Sequence, residues 1–174
     1  MERTITGWHR GDDGDWVAEL SCLHGQHVRH RPPYRVAPWV DTAEGRTAHV
    51  GTSLDCPPCD RAELPAGLSV LRTTATWDEH STPAGLTGEH RVAAGRWGRL
   101  QVLDGALGFW LASDPSGERT VRAGEAQAIP PEVVHRVVLR GPVRFHVSFL
   151  GRHEDDEGGD PACWAGRVED HRDG

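Results

Sequence analysis

The sequence predicts a mainly β protein in two parts: a small N-terminal module built on a β-hairpin, and a larger domain of short strands behind it. Two observations lead to this prediction. The first sixty residues hold three of the four cysteines and five of the eleven histidines. Residues 61–152 alternate short β-type runs with Gly and Pro turns. We therefore divide the chain into a Cys/His module at residues 1–60, a β domain at residues 61–152 and an acidic tail at residues 153–174, which is expected to be flexible.

The elements of the first zone follow from its local patterns. Residues 15–21 alternate as a strand does, a turn follows at residues 22–25, and a second strand is expected near residues 27–30. Thr42 is placed to cap a short helix over residues 43–50, which Gly51 would end.

The second zone contains few convincing helical stretches. Two apolar runs, at residues 99–103 and 106–111, flank Asp104-Gly105, and an Asp-Gly between two such runs predicts a tight hairpin. Further β-type runs lie at residues 120–122, 125–129, 133–139 and 143–150. Several short strands at this spacing are typical of a sandwich or a barrel.

Composition excludes two classes of function. All 19 basic residues are arginine, but they are scattered and the net charge is −7, so we expect no binding to nucleic acid. No apolar run approaches the ~18 to 20 residues that a membrane span needs. The N-terminal residues lack the apolar core of a signal peptide, so a cytoplasmic location is expected.

Two short clusters in the first zone have the spacing of a zinc site. Cys22-Leu-His24 and Cys56-Pro-Pro-Cys59 each place two ligands in one tight turn, and zinc prefers four tetrahedral thiolate and imidazole ligands. We predict a structural zinc ion bound by Cys22, His24, Cys56 and Cys59, with His27 as the alternative to His24. Buried thiols without a metal, or a redox-active Cys-x-x-Cys pair, are the competing interpretations.

The first zone also resembles a known family. The runs that carry the resemblance are Ile5-Thr-Gly-Trp-His-Arg, Cys22-Leu-His-Gly-Gln-His-Val-Arg-His-Arg-Pro-Pro, Pro38-Trp-Val and Leu54-Asp-Cys-Pro-Pro-Cys. They are similar to short bacterial proteins of unknown function called pre-zinc-ribbon proteins. The resemblance implies no known activity.

The second zone carries part of a cupin motif. Gly124, Pro130 and His135 have the spacing Gly-x5-Pro-x4-His, which is similar to the second cupin motif, where the histidine is a metal ligand. Cupins have a glycine two residues after that proline, and Glu132 stands there in this chain. The usual His-x-His pair upstream is reduced to His90, and Gly98 stands at roughly the place of the usual glutamate, so two of the four usual ligands are missing.

A second set of runs makes the resemblance more specific. The runs are Leu64-Pro-Ala-Gly-Leu, Thr82-Pro-Ala-Gly-Leu-Thr-Gly-Glu-His-Arg, Gly95-Arg-Trp-Gly-Arg-Leu-Gln-Val-Leu-Asp-Gly and Pro142-Val-Arg-Phe-His-Val-Ser-Phe. They resemble the cupin-like domain associated with tellurite resistance over residues 63–150. The resemblance implies a cupin-type β-barrel (a double-stranded β-helix) and a link to oxyanion stress. The chain has no Rossmann-type glycine motif, so tellurite methylation by this chain alone is not expected.

His90 and His135 are the candidate site of the barrel, since cupin strand order would place them across its mouth. One interpretation is a second divalent metal (Fe, Mn, Ni or Zn) with open coordination positions, and the other is a metal-free binding pocket. Around them we place a periphery of third ligands and anion-binding groups: His80, Glu89, Arg91, Arg99, Glu132 and His146. Strand alternation puts His146 on the face opposite the apolar residues of its run.

Three functions remain open at this stage. The first is binding of a small molecule or a metal oxyanion, with the zinc module as a scaffold. The second is a metal-dependent enzyme of dioxygenase or isomerase type that uses His90 and His135. The third is an adaptor whose zinc module recruits a protein partner. A homodimer is expected because cupins often pair through strand edges.

Overall fold

The computed structural model describes residues 1–152, so the predicted tail at residues 153–174 lies outside the described residues. The chain divides into two units, Met1–Arg61 and a second unit that begins at Ala62. Strands dominate both units, which confirms the mainly β prediction. Among residues 1–152, no helix is long and apolar enough to cross a membrane.

The first unit is built on a four-stranded antiparallel sheet in the order β3-β2-β1-β4. The predicted hairpin is formed by its second and third strands, whose register pairs Trp16 with Val28. The long first strand was not predicted, and it holds the hairpin on one side and the short fourth strand on the other. The four strands are β1 (Glu2–Arg10), β2 (Trp16–Leu20), β3 (Gly25–Val28) and β4 (Ser53–Asp55).

Three short helical segments complete the first unit. They are a 3₁₀ turn at Pro38–Asp41, helix α1 at Ala43–His49 and helix α2 at Pro57–Asp60. The hydroxyl of Thr42 accepts a hydrogen bond from the backbone N–H of Gly45 at 3.1 Å, so the predicted cap and helix are confirmed.

The apolar core of the first unit is small. Apart from the cysteines, its buried apolar side chains are Ile5, Val17, Ala18, Leu20 and Val40. A unit of about sixty residues buries a smaller fraction of its surface than a larger domain, and small domains commonly need an added staple such as a metal ion. The unit therefore has a physical reason to carry one.

The second unit is centred on one long strand, β7. Its elements are β5 (Ser69–Thr73), β6 (Trp77–Asp78), α3 (Ala84–Thr87), β7 (Trp97–Leu111), β8 (Arg119–Arg122), β9 (Ala126–Ile129), β10 (His135–Val138) and β11 (Val143–Gly151). The first part of β7 pairs with β9 and β11, and its second part pairs with β8 and β10. The strand thereby passes from one group of strands into the next.

The predicted hairpin at Asp104-Gly105 is wrong. The two flanking runs are one continuous strand, and the register against β11 shifts by one residue at this point, which is a β-bulge. Gly105 does adopt the positive φ, +70°, that the Asp-Gly signal requires. A positive φ is found in glycine bulges as well as in tight turns. Here the chain stays extended because β7 pairs with β11 before the bulge and with β8 after it.

The strand pairing of the second unit does not close on itself. Among the described residues the hydrogen-bonded path runs β10-β7-β11-β5 and ends at β5 and β10. The core lies against β7 and β11, where Trp97, Phe109 and Phe145 are fully buried. The strand pairs therefore do not form a closed barrel, although the unit is rich in strands as predicted.

Candidate metal centre and binding cavity

The first unit brings four metal-ligating side chains into one buried cluster: Cys22, His24, Cys56 and Cys59. Cys22 and His24 lie in the turn that follows β2, where Leu23 takes a positive φ of 69°. That turn is closed by the N–H of Leu20 donating to the carbonyl of His24.

The other two ligands come from the N-terminus of α2. Cys56 caps this helix, and its N–H donates to the carbonyl of Met1, which fixes the segment beside β1. Pro57 and Pro58 then occupy the first helical positions, where proline is well tolerated. One turn of helix returns Cys59 to the same side as Cys56, so Cys-x-x-Cys presents two sulfurs together.

The distances within the cluster match a tetrahedral zinc ion. The Sγ atoms of Cys22 and Cys56 are 3.7 Å apart, and Nδ1 of His24 lies 3.5 Å from each of them and 3.6 Å from Sγ of Cys59. Zn–S bonds of about 2.3 Å and Zn–N bonds of about 2.1 Å at tetrahedral angles give S···S near ~3.8 Å and S···N near ~3.6 Å. The cluster could therefore hold a metal such as zinc.

The electrostatics of the cluster favour a cation at its centre. Hydrogen bonds, first from Cys59 and then from His24, lower the pKa of the Cys22 thiol to about 4. The bond to Cys22 and burial raise the pKa of Cys59, while burial raises the pKa of Cys56. The lowered pKa of Cys22 favours its thiolate, and a divalent cation would stabilise thiolates at all three cysteines.

His27 and His30, which follow His24 at three-residue intervals, lie outside this cluster. The side chain of His27 is 45% exposed, and its Nδ1 lies 3.6 Å from a carboxylate oxygen of Asp13. Nδ1 of His30 accepts a hydrogen bond from the N–H of Ala37. The geometry thus groups His24 with the cysteines and leaves the alternative, His27, on the surface.

The second unit contains a cavity of about 50 Å³ that both candidate histidines line. His90 and His135 form an isolated antiparallel bridge, with N–H···O distances of 3.1 and 2.9 Å. Their ring centroids are 4.1 Å apart. The remaining walls are mostly apolar and aromatic: Thr74, Trp77, Leu86, Arg91, Val92, Leu100, Phe109, Ile129, Val137, Val147 and Phe149.

Hydrogen bonds to the backbone fix the proton on each imidazole. Nδ1 of His90 lies 3.0 Å from the carbonyl oxygen of Gly88, and Nδ1 of His135 lies 2.9 Å from that of Val133. A carbonyl oxygen only accepts, so each Nδ1 carries the hydrogen and each neutral ring keeps its acceptor lone pair on Nε2. Burial lowers the pKa of His90, and burial together with the charge of His90 lowers that of His135 to about 4. Both rings are therefore neutral at pH 7.

The residues that were predicted to surround His90 and His135 do not all lie at the cavity. Arg91 lines the cavity. His80 is exposed, and Glu89 pairs with Arg136 at 3.4 Å. Among the described residues, no third His, Cys, Asp or Glu ligand groups with the two cavity histidines. Glu132 takes a positive φ of 61° at the position where the cupin motif has glycine.

Arg99 and His146 lie on the other face of the sheet from the cavity. Their neighbours Leu100 and Val147 line the cavity, and successive residues of a strand point to opposite faces. The prediction that His146 turns away from the apolar residues of its strand agrees with this placement.

Three aromatic wall residues, Trp77, Phe109 and Phe149, were not among the residues predicted from the sequence. Phe109 stacks on His135 with ring centroids 5.7 Å apart, and Trp77 packs against Phe145 at 5.9 Å. Phe109 pairs with Val137 across β7 and β10, two residues from His135. Strand alternation alone would have placed it on the face of His135, had the pairing been known.

Two family models match the chain. Residues 6–63 match a family described as protein of unknown function (DUF3565). Residues 72–147 match the TehB-like domain. The predicted resemblance of the second zone is therefore confirmed as a match to this domain over residues 72–147. No curated protein matches the chain significantly.

Three solved structures are similar to part of the chain. A protein from E. coli (strain K12) has 23% identity and a TM-score of 0.47, covering 52% of this chain and 96% of that one. TehB from Haemophilus influenzae has 24% identity and a TM-score of 0.48, covering 52% of this chain but only 34% of TehB. A cupin protein from Bacteroides fragilis has 16% identity and a TM-score of 0.30, covering 49% of this chain and 83% of that one.

Proposed function

We propose that this chain is a small-molecule-binding protein, in which a zinc ion holds the first unit together and the cavity of the second unit receives the ligand. The observation that carries the proposal is the pair of neutral imidazoles, His90 and His135, in an otherwise mostly apolar cavity. Binding sites of this kind combine apolar walls with a few fixed polar groups.

The zinc role is structural. Cys22, His24, Cys56 and Cys59 supply the full tetrahedral set, so no coordination position is left for a substrate. The small apolar core of the first unit supports the same role, because metal binding then contributes directly to folding.

The cavity favours a neutral ligand with a hydrogen-bond donor. An imidazole Nε2 that keeps its lone pair accepts a hydrogen bond from a donor and offers none to an anion. A volume of about 50 Å³ exceeds the ~10 to 15 Å³ that admits one water molecule but falls well short of the ~150 Å³ that holds benzene. The enclosed part of the site therefore takes a group of a few heavy atoms.

Boric acid and nitrate form a matched pair of probes for this proposal. Both are trigonal and have four heavy atoms, but boric acid is neutral and donates whereas nitrate is an anion that only accepts. We expect boric acid to shift the ring resonances of His90 and His135 saturably in the full chain, and nitrate to leave them unchanged. His135→Gln should abolish the boric acid response, while His146→Gln, on the opposite face, serves as the control. The proposal is wrong if nitrate binds in the cavity instead, or if neither probe binds there.

A metal-dependent enzyme remains the second candidate, and one observation favours it. Histidine ligands of metals usually donate the other ring N–H to a carbonyl, and His90 and His135 both do so through Nδ1. Such an ion would supply Lewis-acid or redox chemistry beside the cavity. Metal content per chain, measured on untagged wild type and His135→Ala, separates the two candidates. One zinc in both proteins favours metal-free binding, and a second metal in wild type alone favours the enzyme.

We further propose that the second unit has a cupin-like fold, without a closed barrel, and is linked to oxyanion stress. The cupin-like spacing of Gly124, Pro130 and His135 supports the fold, as does the bridge from His135 to His90. The match to the TehB-like domain supports the link. Tellurite tolerance of cells with and without the wild-type protein tests it: the protein should raise the tolerance, and equal tolerance would contradict the proposal.

A further inference from the structure

A polar row crosses the face of the second unit that points away from the cavity. Strands β9, β7, β11 and β5 lie side by side, and their register places Ala128, Arg99, Ser148 and Thr73 opposite one another in that order. Residues paired in this way share one face of the sheet. The hydroxyl oxygens of Thr73 and Ser148 are 2.9 Å apart, which confirms that these two side chains meet.

A second row lies beside the first. Gln101 pairs with His146 two residues away along the same strands, so His146 follows Ser148 on the same face. Arg99, Gln101 and His146 are half-buried and Ser148 is buried, so these groups lie close against the sheet.

Arg99 has no carboxylate partner among residues 1–152, although it is half-buried. An arginine in this position is normally paired, since a partly desolvated charge is otherwise costly. Thr73 and Ser148 share one hydrogen bond, which uses one of their two hydroxyl hydrogens, and the described residues offer no acceptor for the other. The face therefore presents a guanidinium and a hydroxyl donor side by side.

We propose that this face binds a small oxyanion, with Arg99 supplying the charge and Thr73, Ser148 and His146 supplying further hydrogen bonds. The planar guanidinium matches two oxygens of an oxyanion at once. The apolar Ala128 beside Arg99 leaves room next to it. The nearest acidic register positions, Asp78 and Asp104, lie across from Arg144 at the far end of β11. This inference is independent of the cavity, whose neutral acceptors suit a different class of ligand.

Sulfate is the probe that tests the proposal, because it is inert toward the thiols of the chain. Isothermal titration calorimetry of the full chain, at constant ionic strength set with sodium chloride, should show saturable binding of one sulfate. Arg99→Gln should weaken it by about tenfold or more, the loss expected for a hydrogen bond to a charged group. Arg122→Gln removes the same charge from an exposed position on β8 and should change the affinity by less than about twofold.

The second pair of variants keeps the test decisive if Arg99→Gln is poorly folded. Thr73 is exposed, so Thr73→Val should fold and should still weaken sulfate binding, whereas His135→Gln in the cavity should not. Absence of saturable sulfate binding to wild type in the millimolar range would overturn the proposal. Equal losses in Arg99→Gln and Arg122→Gln would also overturn it, because they would show only the effect of net charge. Loss of binding in His135→Gln would place the anion in the cavity instead.

Discussion

His24 and His27 offer a matched test of the metal centre. Replacing His24 by alanine removes one of the four ligand atoms of the cluster, since its Nδ1 lies 3.5 to 3.6 Å from the three sulfurs. A structural zinc site is worth about 10 to 16 kcal/mol in small peptides, so one ligand of four accounts for about 3 kcal/mol. We therefore expect His24→Ala to weaken zinc binding by about two orders of magnitude. His27→Ala, at an exposed position, should leave the affinity unchanged.

The assay is competition for zinc with a chromophoric chelator, performed on the reduced, untagged full chain at pH 7. Zinc content by mass spectrometry gives the stoichiometry, and far-ultraviolet circular dichroism follows folding. Wild type and His27→Ala should retain one zinc ion where His24→Ala has released it. The loss should also unfold much of the first unit, because its core contains only a few aliphatic side chains.

Two results would refute this reasoning. Greater zinc loss in His27→Ala than in His24→Ala would show that the exposed histidine is the ligand and that the turn after β2 rearranges. Fresh reduced wild-type protein with no zinc at all would remove the basis for assigning Cys22, Cys56 and Cys59 to a zinc site.

Three further predictions concern stability. Gly105→Ala should destabilise the second unit by about 2 kcal/mol or more, because φ is +70° and the new Cβ would clash with the carbonyl oxygen of Pro142; Gly141→Ala, where a Cβ meets nothing within 4 Å, should be near neutral in the same thermal melts. Burial lowers the pKa of His135 from 6.5 to about 4, so the unfolded chain binds more protons at this residue as the pH drops. Between pH 6.5 and 4 this group should cost the wild type about 3 kcal/mol of stability, and urea titrations should find a loss smaller by that amount in a His135→Gln variant. Thr42→Ala should cost the first unit about 1 kcal/mol in urea titrations through loss of the cap, and an unchanged midpoint would show that the cap is dispensable.

Local patterns in the sequence predicted the features whose cause is local. Cys22 and His24 are two residues apart, and Cys56 and Cys59 are three apart, so each turn presents its pair of ligands whatever surrounds it. The helix after Thr42 begins with a hydrogen bond between Thr42 and Gly45, which are only three residues apart. The preference for His24 over His27 also follows from the tight turn after β2, where the positive φ of Leu23 returns the chain within a few residues.

Local sequence patterns did not predict the features that depend on pairing with strands elsewhere in the chain. The Asp104-Gly105 signal correctly indicates a positive φ, but whether the chain then reverses or bulges depends on the strands that pair with it. β11 and β8, which supply those pairs, lie later in the chain. The long strand β1 was also missed; it pairs with β2 and with β4, which comes some forty residues later.

We propose different ligands for the two faces of the sheet formed by β7 and β11. Leu100 and Val147 point into the cavity, where burial keeps His90 and His135 neutral, while the adjacent Arg99 and His146 point away from it. A sequence scan that groups Arg99 with His135 because both lie in one domain would therefore combine residues of two sites. If the two sites are independent, the effects of His135→Gln on boric acid and of Arg99→Gln on sulfate should be unchanged in the double variant. Coupling between them would mean that one ligand alters the sheet that the other uses.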